Sequence, residues 1–193
     1  MAEWILASAS PRRKELLGEL VDKFEIIPAK GEEKTEEGLT PKQLVTELAK
    51  QKAREVAQSA VAKGKIVLGA DTVVAFGDEV LGKPKDEADA YRMLSALSGK
   101  THEVYTGVCL IYPTKSGVNE LALADCTFVT FHALSKSEIE GYIATGSPMD
   151  KAGAYGIQDG GLVESIKGSF SNVVGLPVEL VKSMIESIKE EVL

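Results

Sequence analysis

Trp4-Ile5-Leu6-Ala7-Ser8-Ala9-Ser10-Pro11-Arg12-Arg13 is a short apolar run that passes through small hydroxyl residues into proline and two adjacent arginines. Residues 4–7 read as a strand. Ser10 is a good N-cap and Pro11 suits the first helical position, where a missing N–H costs nothing. The spacing predicts a helix over residues 12–20. A strand that runs straight into a helix N-terminus is the opening unit of a mixed α/β fold. The helix start exposes backbone N–H groups and a partial positive charge, which favour an anion. Arg12 and Arg13 oppose that dipole by roughly 0.3–1 kcal/mol each. The two readings are a capped surface helix with solvated arginines, and one wall of a phosphate pocket.

Strand and helix signals alternate outward from this segment, with no internal repeat, linker or low-complexity tract. Strands are expected at residues 24–28, 65–76, 79–81, 103–112 and 121–132. Thr40-Pro41-Lys42-Gln43 is a capping box that opens a helix expected to reach residue 62. Asp86 caps a helix ending at Gly99, and Ser135-Lys136-Ser137-Glu138 opens another to residue 145. A glycine-rich stretch and a C-terminal helix from about residue 177 complete the chain.

The length of 193 residues suits one domain of two lobes, spanning residues 1–193. The net charge of −7 argues against a nucleic-acid partner, which needs a broad basic surface, but a nucleotide needs only a local cluster. No apolar run approaches a membrane span and no signal peptide is visible, so the expected compartment is cytoplasmic. Cys109 and Cys126, the only cysteines, lie in apolar strand-like runs and read as small buried hydrophobes without a metal motif.

Two charged residues fit poorly as structure. On the helix from Pro41, the apolar stripe is Val45, Leu48, Ala49, Ala53 and Val56, and Lys52 falls at its centre. That lysine must snorkel, pair, or face a cleft. Asp71 interrupts the strand Ile66-Val67-Leu68-Gly69-Ala70-Asp71-Thr72-Val73-Val74, where a carboxylate is costly unless paired or bound to metal. Gly69 and Ala70 leave the backbone open to close approach by another group. Gly82-Lys83-Pro84 holds a lysine extended at a strand end. Glu32, Glu33, Glu36 and Glu37 form an acidic loop, solvated or supplying a carboxylate to Mg²⁺. Asp86-Glu87-Ala88-Asp89 spells a helicase box, but no phosphate-binding loop accompanies it and the acids suit a helix start. His102 and His132 have no metal-ligand spacing.

These segments, with Leu97-Ser98-Gly99-Lys100-Thr101, His102-Glu103-Val104-Tyr105-Thr106-Gly107, Asp150-Lys151-Ala152-Gly153-Ala154-Tyr155-Gly156-Ile157-Gln158 and Val173-Val174-Gly175-Leu176-Pro177, resemble the Maf family of nucleoside triphosphate pyrophosphatases over residues 6–177. The resemblance implies an inosine-triphosphatase-like (Maf/Ham1) α/β fold: a mixed curved sheet flanked by helices, with two lobes around a central cleft. It implies metal-dependent hydrolysis of a nucleoside triphosphate to monophosphate and pyrophosphate, a house-cleaning role, with Mg²⁺ or Mn²⁺ as cofactor. Its functional positions fall on Ser8, Arg12, Arg13, Glu33, Lys52, Asp71, Lys83 and Gln158. Asp71 and Glu33 take the metal, and Asp71 is catalytic, as ligand or as base on a metal-acidified water. Arg12, Arg13, Lys52 and Lys83 take the phosphates, and Ser8, Thr72 and Gln158 also contact substrate. Arg12, Thr72 and the Ala154–Gln158 stretch resemble the branch acting on dTTP and UTP. The chain departs from several relatives at Phe170, where they carry tyrosine. A homodimer is compatible with the family. Two other readings are a nucleotide-binding regulator of septum formation without turnover, and a hydrolase of deaminated purine triphosphates.

Overall fold

The computed structural model describes residues 3–192. Seven strands join in the order β2-β1-β3-β5-β6-β7, with β4 added to β3: β1 Trp4–Leu6, β2 Phe24–Ile26, β3 Ile66–Phe76, β4 Glu79–Leu81, β5 Thr101–Thr114, β6 Gly117–Phe131 and β7 Val163–Lys167. The sheet is mixed. β1 pairs in parallel with β2 and β3, whereas β3–β4 and β6–β7 are antiparallel. The helices are α1 Pro11–Gly18, α2 Pro41–Ala57, α3 Glu87–Leu97, α4 Lys136–Ala144, α5 Phe170–Val174 and α6 Val178–Ile188.

The chain divides into two compact units. The first comprises the residues up to Asp71, Thr106–Asp125 and Gly175 onward. Its parallel strands β1 and β3 are apolar and almost wholly buried, as strands covered on both faces require, while the edge strand β2 stays largely exposed. Leu6, Leu68, Leu110 and Tyr112 point to one side, where Leu17 of α1 and Val181, Met184 and Ile188 of α6 cover them. Ile5, Ala7, Val67, Cys109 and Ile111 point to the other, against Ala49, Ala53 and Val56 of α2. The small residues on this second face let α2 lie close. A Cβ on Gly69 would stand 2.5 Å from the Ala49 carbonyl oxygen, and one on Gly107 would stand 2.2 Å from that of Val45. The group that approaches Gly69 is therefore the backbone of α2.

The second unit comprises Thr72–Tyr105 and Cys126–Val174. Val74, Val104, Val129 and Phe131 of its strands pack with Ala90, Met93, Leu94 and Leu97 of α3 and Ile139 and Ile143 of α4. Buried Asn172 staples α5 to the strands, donating to the Val104 carbonyl at 2.9 Å and to Thr127 Oγ1 at 3.0 Å.

The caps follow the sequence reading. Ser10, Thr40, Asp86 and Ser135 each accept a backbone N–H in the first turn of their helix, and Thr40 and Ser135 complete capping boxes with Gln43 and Glu138. Asp86 and Asp89 are thus spent on a helix start. Some boundaries differ. α2 ends at Ala57, and residues 60–62 form a separate 3-10 turn, because Ser59 turns extended and its hydroxyl bonds back to the Val56 carbonyl. β5 and β6 are longer than expected, and β7 and α5 arise within and after the glycine-rich stretch. Cys109 is buried as expected, but Cys126 is only half-buried.

Candidate active site

Lys52 resolves its position by pairing. Its ammonium lies 2.8 Å from Glu33 Oε1 and also contacts Asp71 Oδ1, so one cation bridges two carboxylates. Each partner is delivered by a different local device. Asp71 stands on β3 and is only 8% exposed. Lys52 rides on α2 between Ala49 and Ala53, the residues brought onto Gly69. Glu33 comes from the acidic loop, which α2 ties down: Glu55 accepts the Lys30 and Gly31 N–H groups at 2.7 and 2.9 Å, and Gln51 accepts that of Lys34 at 3.1 Å. Among the adjacent glutamates, Glu33 is the one whose carboxylate meets Lys52. Sequence reasoning missed Gln51 and Glu55. Their signal was the i, i+4 spacing, which stacks them on one flank of the helix beside Lys52.

Arg13 and Ser8 join the same unit. Arg13 Nε donates to the Gly175 carbonyl at 2.8 Å, and Nη1 donates to Ser8 Oγ at 3.3 Å. Burial of the guanidinium lowers its pKa from the ordinary value; Asp71 and, more weakly, Glu33 pull it up, and Arg12 adds to the lowering. Arginine remains charged regardless, so this is a desolvated cation facing two carboxylates. Ser8 is buried and also accepts the Ser10 N–H at 3.2 Å. Arg12, half-buried, is the residue before Arg13 on α1. The first unit therefore holds Ser8, Arg12, Arg13, Glu33, Lys52 and Asp71.

Thr72, Lys83 and Gln158 belong to the second unit. Lys83 and Gln158 are exposed and Thr72 is half-buried. The Gly82 carbonyl accepts the Gly153 N–H at 3.0 Å, so the Lys83 turn is tied to the segment leading to Gln158. That segment carries backbone strain at Ala154, which has a φ of 59° in the left-handed region. It is anchored by Tyr155, whose ring packs edge-on against Phe131 and His102, with centroids 4.7 and 5.4 Å away.

His102 is 2% exposed, with Nε2 2.8 Å from Tyr155 Oη and no hydrogen-bond partner for Nδ1 among the described residues. Burial pushes its pKa from 6.5 down to about 4. The fold binds the neutral ring, so this contribution is complete above pH 6.5 and is lost as pH falls towards 4. Between those values the unfolded chain takes up a proton that the folded chain refuses. Stability should fall by up to about 1.4 kcal/mol per pH unit, and by about 3 kcal/mol over the window. Urea midpoints of wild type and His102→Gln at pH 7.5 and 4.5 check this. The variant should show a shallower acid loss; equal losses would remove the assignment.

No group of three or more His, Cys, Asp or Glu side chains that could hold a metal occurs among the described residues. The Glu33–Asp71 pair nonetheless fits a hard divalent cation, because Mg²⁺ uses one or two carboxylates and takes its other ligands from water and phosphate oxygens. The position of Lys52 between the two carboxylates already shows that they converge on one cation.

The Maf-like protein family model matches residues 3–188. A dTTP/UTP pyrophosphatase of Agathobacter rectalis is 50% identical, over 92% of this chain and 93% of its own. A dTTP/UTP pyrophosphatase of Ruminiclostridium cellulolyticum is 46% identical over the whole of both chains. Among solved structures, a HAM1 protein from Coxiella burnetii aligns with a TM-score of 0.55 at 16% identity, over 97% of this chain and 100% of that one, a likeness of fold. With its mixed sheet, its flanking helices and its carboxylate–lysine–carboxylate cluster, the chain belongs to the Maf-like protein family.

Proposed function

We propose that this protein hydrolyses dTTP and UTP to the nucleoside monophosphate and pyrophosphate, with Mg²⁺ or Mn²⁺ as cofactor. The observation that carries the reading is the Glu33–Lys52–Asp71 cluster beside the desolvated Arg13. Two converging carboxylates suit a divalent cation, and the adjacent fixed cations suit a polyphosphate. The names of the relatives supply the substrate class.

In this mechanism Arg12, Arg13 and Lys52 bind the phosphate chain, with Arg able to grip two oxygens at once. The same reading assigns Lys83 to phosphate, and Ser8, Thr72 and Gln158 to orienting the substrate. Asp71 and Glu33 would hold the divalent cation, which supplies charge neutralisation and an acidified water when bound. Asp71 orients the attacking water and draws off its proton. Water attacks the α-phosphorus, the bond from that phosphorus to the bridging oxygen breaks, and pyrophosphate departs. Chain groups thus contribute positioning and electrostatics. A homodimer and a cytoplasmic location belong to the same proposal.

A pyrophosphate-release assay over dTTP, UTP, CTP, dITP and XTP, with Mg²⁺ or with chelator, tests it. The expected result is release from dTTP and UTP that stops with chelator. Tight binding without release would support a regulator instead, and preference for dITP or XTP would move the activity to deaminated purines.

A further inference from the structure

We propose that Tyr142 is a positioning residue for base recognition, fixing both flanks of Gln158 through a single hydroxyl. The inference rests on the nucleotide reading above. Tyr142 stands on α4, and its Oη accepts the Gly156 N–H at 3.0 Å while donating to Asp159 Oδ2 at 2.6 Å. Gln158 lies between these two anchors, in the 3-10 turn Ile157–Asp159. A single 3-10 turn of this length has too few internal hydrogen bonds to hold a side chain by itself.

The surrounding groups brace the same two anchors. Ser147 Oγ also donates to Asp159 Oδ2, at 2.6 Å. Lys151 is 9% exposed, and its ammonium donates to the Ser147 carbonyl at 2.6 Å, to Ser147 Oγ at 2.9 Å and to Asp150 Oδ1 at 2.8 Å. Three acceptors compensate the burial of this charge. The lysine stem then walls the turn: a Cβ on Gly156 would lie 2.7 Å from Lys151 Cε and 3.0 Å from Gln158 Nε2. Gly156 therefore lies close to both the stem and the Gln158 amide nitrogen, leaving no room for a side chain there, and a shift of the turn would carry the backbone of Gln158 with it.

The chemistry explains why a held amide matters. A carboxamide donates on one side and accepts on the other. Uracil and thymine offer an N–H flanked by carbonyl oxygens, whereas cytosine presents an amino group and an unprotonated ring nitrogen along that edge. An amide fixed in one orientation distinguishes these patterns, and a freely rotating one satisfies both. Tyr142, Asp159, Ser147 and Lys151 would therefore set selectivity without touching the base.

The test uses Tyr142→Phe, which keeps the ring and removes both bonds. Amide hydrogen exchange over residues 151–160 should quicken by about tenfold or more. KM for UTP should rise about tenfold with kcat within about twofold, and the preference for UTP over CTP should shrink by a similar factor. Asp159→Ala should reproduce this pattern, and Asp159→Asn, which keeps an acceptor, should restore most of the preference. Unchanged exchange in Tyr142→Phe would overturn the clamp whatever the substrate. Faster exchange with an unchanged UTP/CTP ratio would overturn its role in recognition. Lack of wild-type turnover on UTP would count against the function itself, and the exchange experiment would still decide the clamp.

Discussion

Asp71→Asn is expected to lower UTP turnover by about a thousandfold or more while nucleotide affinity changes by less than about tenfold. The substitution keeps size and one acceptor oxygen but removes the negative charge and turns the other oxygen into a donating NH2. In the folded chain that charge is half of the pair that Lys52 bridges, and it opposes the desolvation of the Arg13 guanidinium. Losing it leaves Glu33 as the one carboxylate on the Lys52 ammonium among the described contacts. The phosphate-binding cations all remain, so binding should survive. Single-turnover pyrophosphate release gives the first quantity and calorimetric titration of a non-hydrolysable UTP analogue in chelator gives the second. Binding and turnover lost together would mean that Asp71 acts as a structural partner of Lys52. Turnover retained near the wild-type rate would remove Asp71 from the chemistry.

Asp71 and Lys52 were legible because each broke the pattern of its own element. An acid in an apolar strand and a lysine in a helical stripe both demand a partner, and each is the other's. The helix starts were legible because caps are local: Ser10, Thr40, Asp86 and Ser135 bond to residues three positions on. What stayed hidden depends on contacts distant in sequence. β7 shows no apolar alternation, since Glu164, Ser165, Ile166 and Lys167 are all exposed at the sheet edge, and its pairing with β6 is what makes it a strand. The hold of Glu55 on Lys30 and Gly31 spans about 24 residues. His102 shows no motif for the same reason, because Tyr155 meets it from 53 residues away. Gly69 was read as space for an approaching group, and that group is α2, which is how Lys52 reaches Asp71.

The second large effect concerns that approach. Gly107→Ala should destabilise the protein by about 3 kcal/mol or more, lowering Tm by roughly 6–12 °C. The new methyl would stand 2.2 Å from the Val45 carbonyl oxygen and 2.4 Å from its carbon. Both are backbone atoms, so no rotamer change relieves the clash. Relief requires α2 to retreat, and α2 carries Val45, Leu48, Ala49, Ala53 and Val56 in the core. Gly69→Ala meets the same helix at 2.5 Å from Ala49 O and 2.7 Å from Ala53 N, one turn from Lys52. It should therefore lose turnover at temperatures where it is still folded, whereas Gly107→Ala should lose mainly stability. Gly141→Ala on α4 is the control, because nothing lies within 4 Å of its Cβ position. The same methyl there should leave Tm unchanged or raise it, since alanine is the better helix residue. Thermal melts and turnover of the three variants separate the two roles. If Gly107→Ala melts within about 2 °C of wild type, the close contact at Val45 does not hold α2 on the strands, and if Gly69→Ala keeps wild-type turnover, the contact at Ala49 and Ala53 is not what sets the position of Lys52.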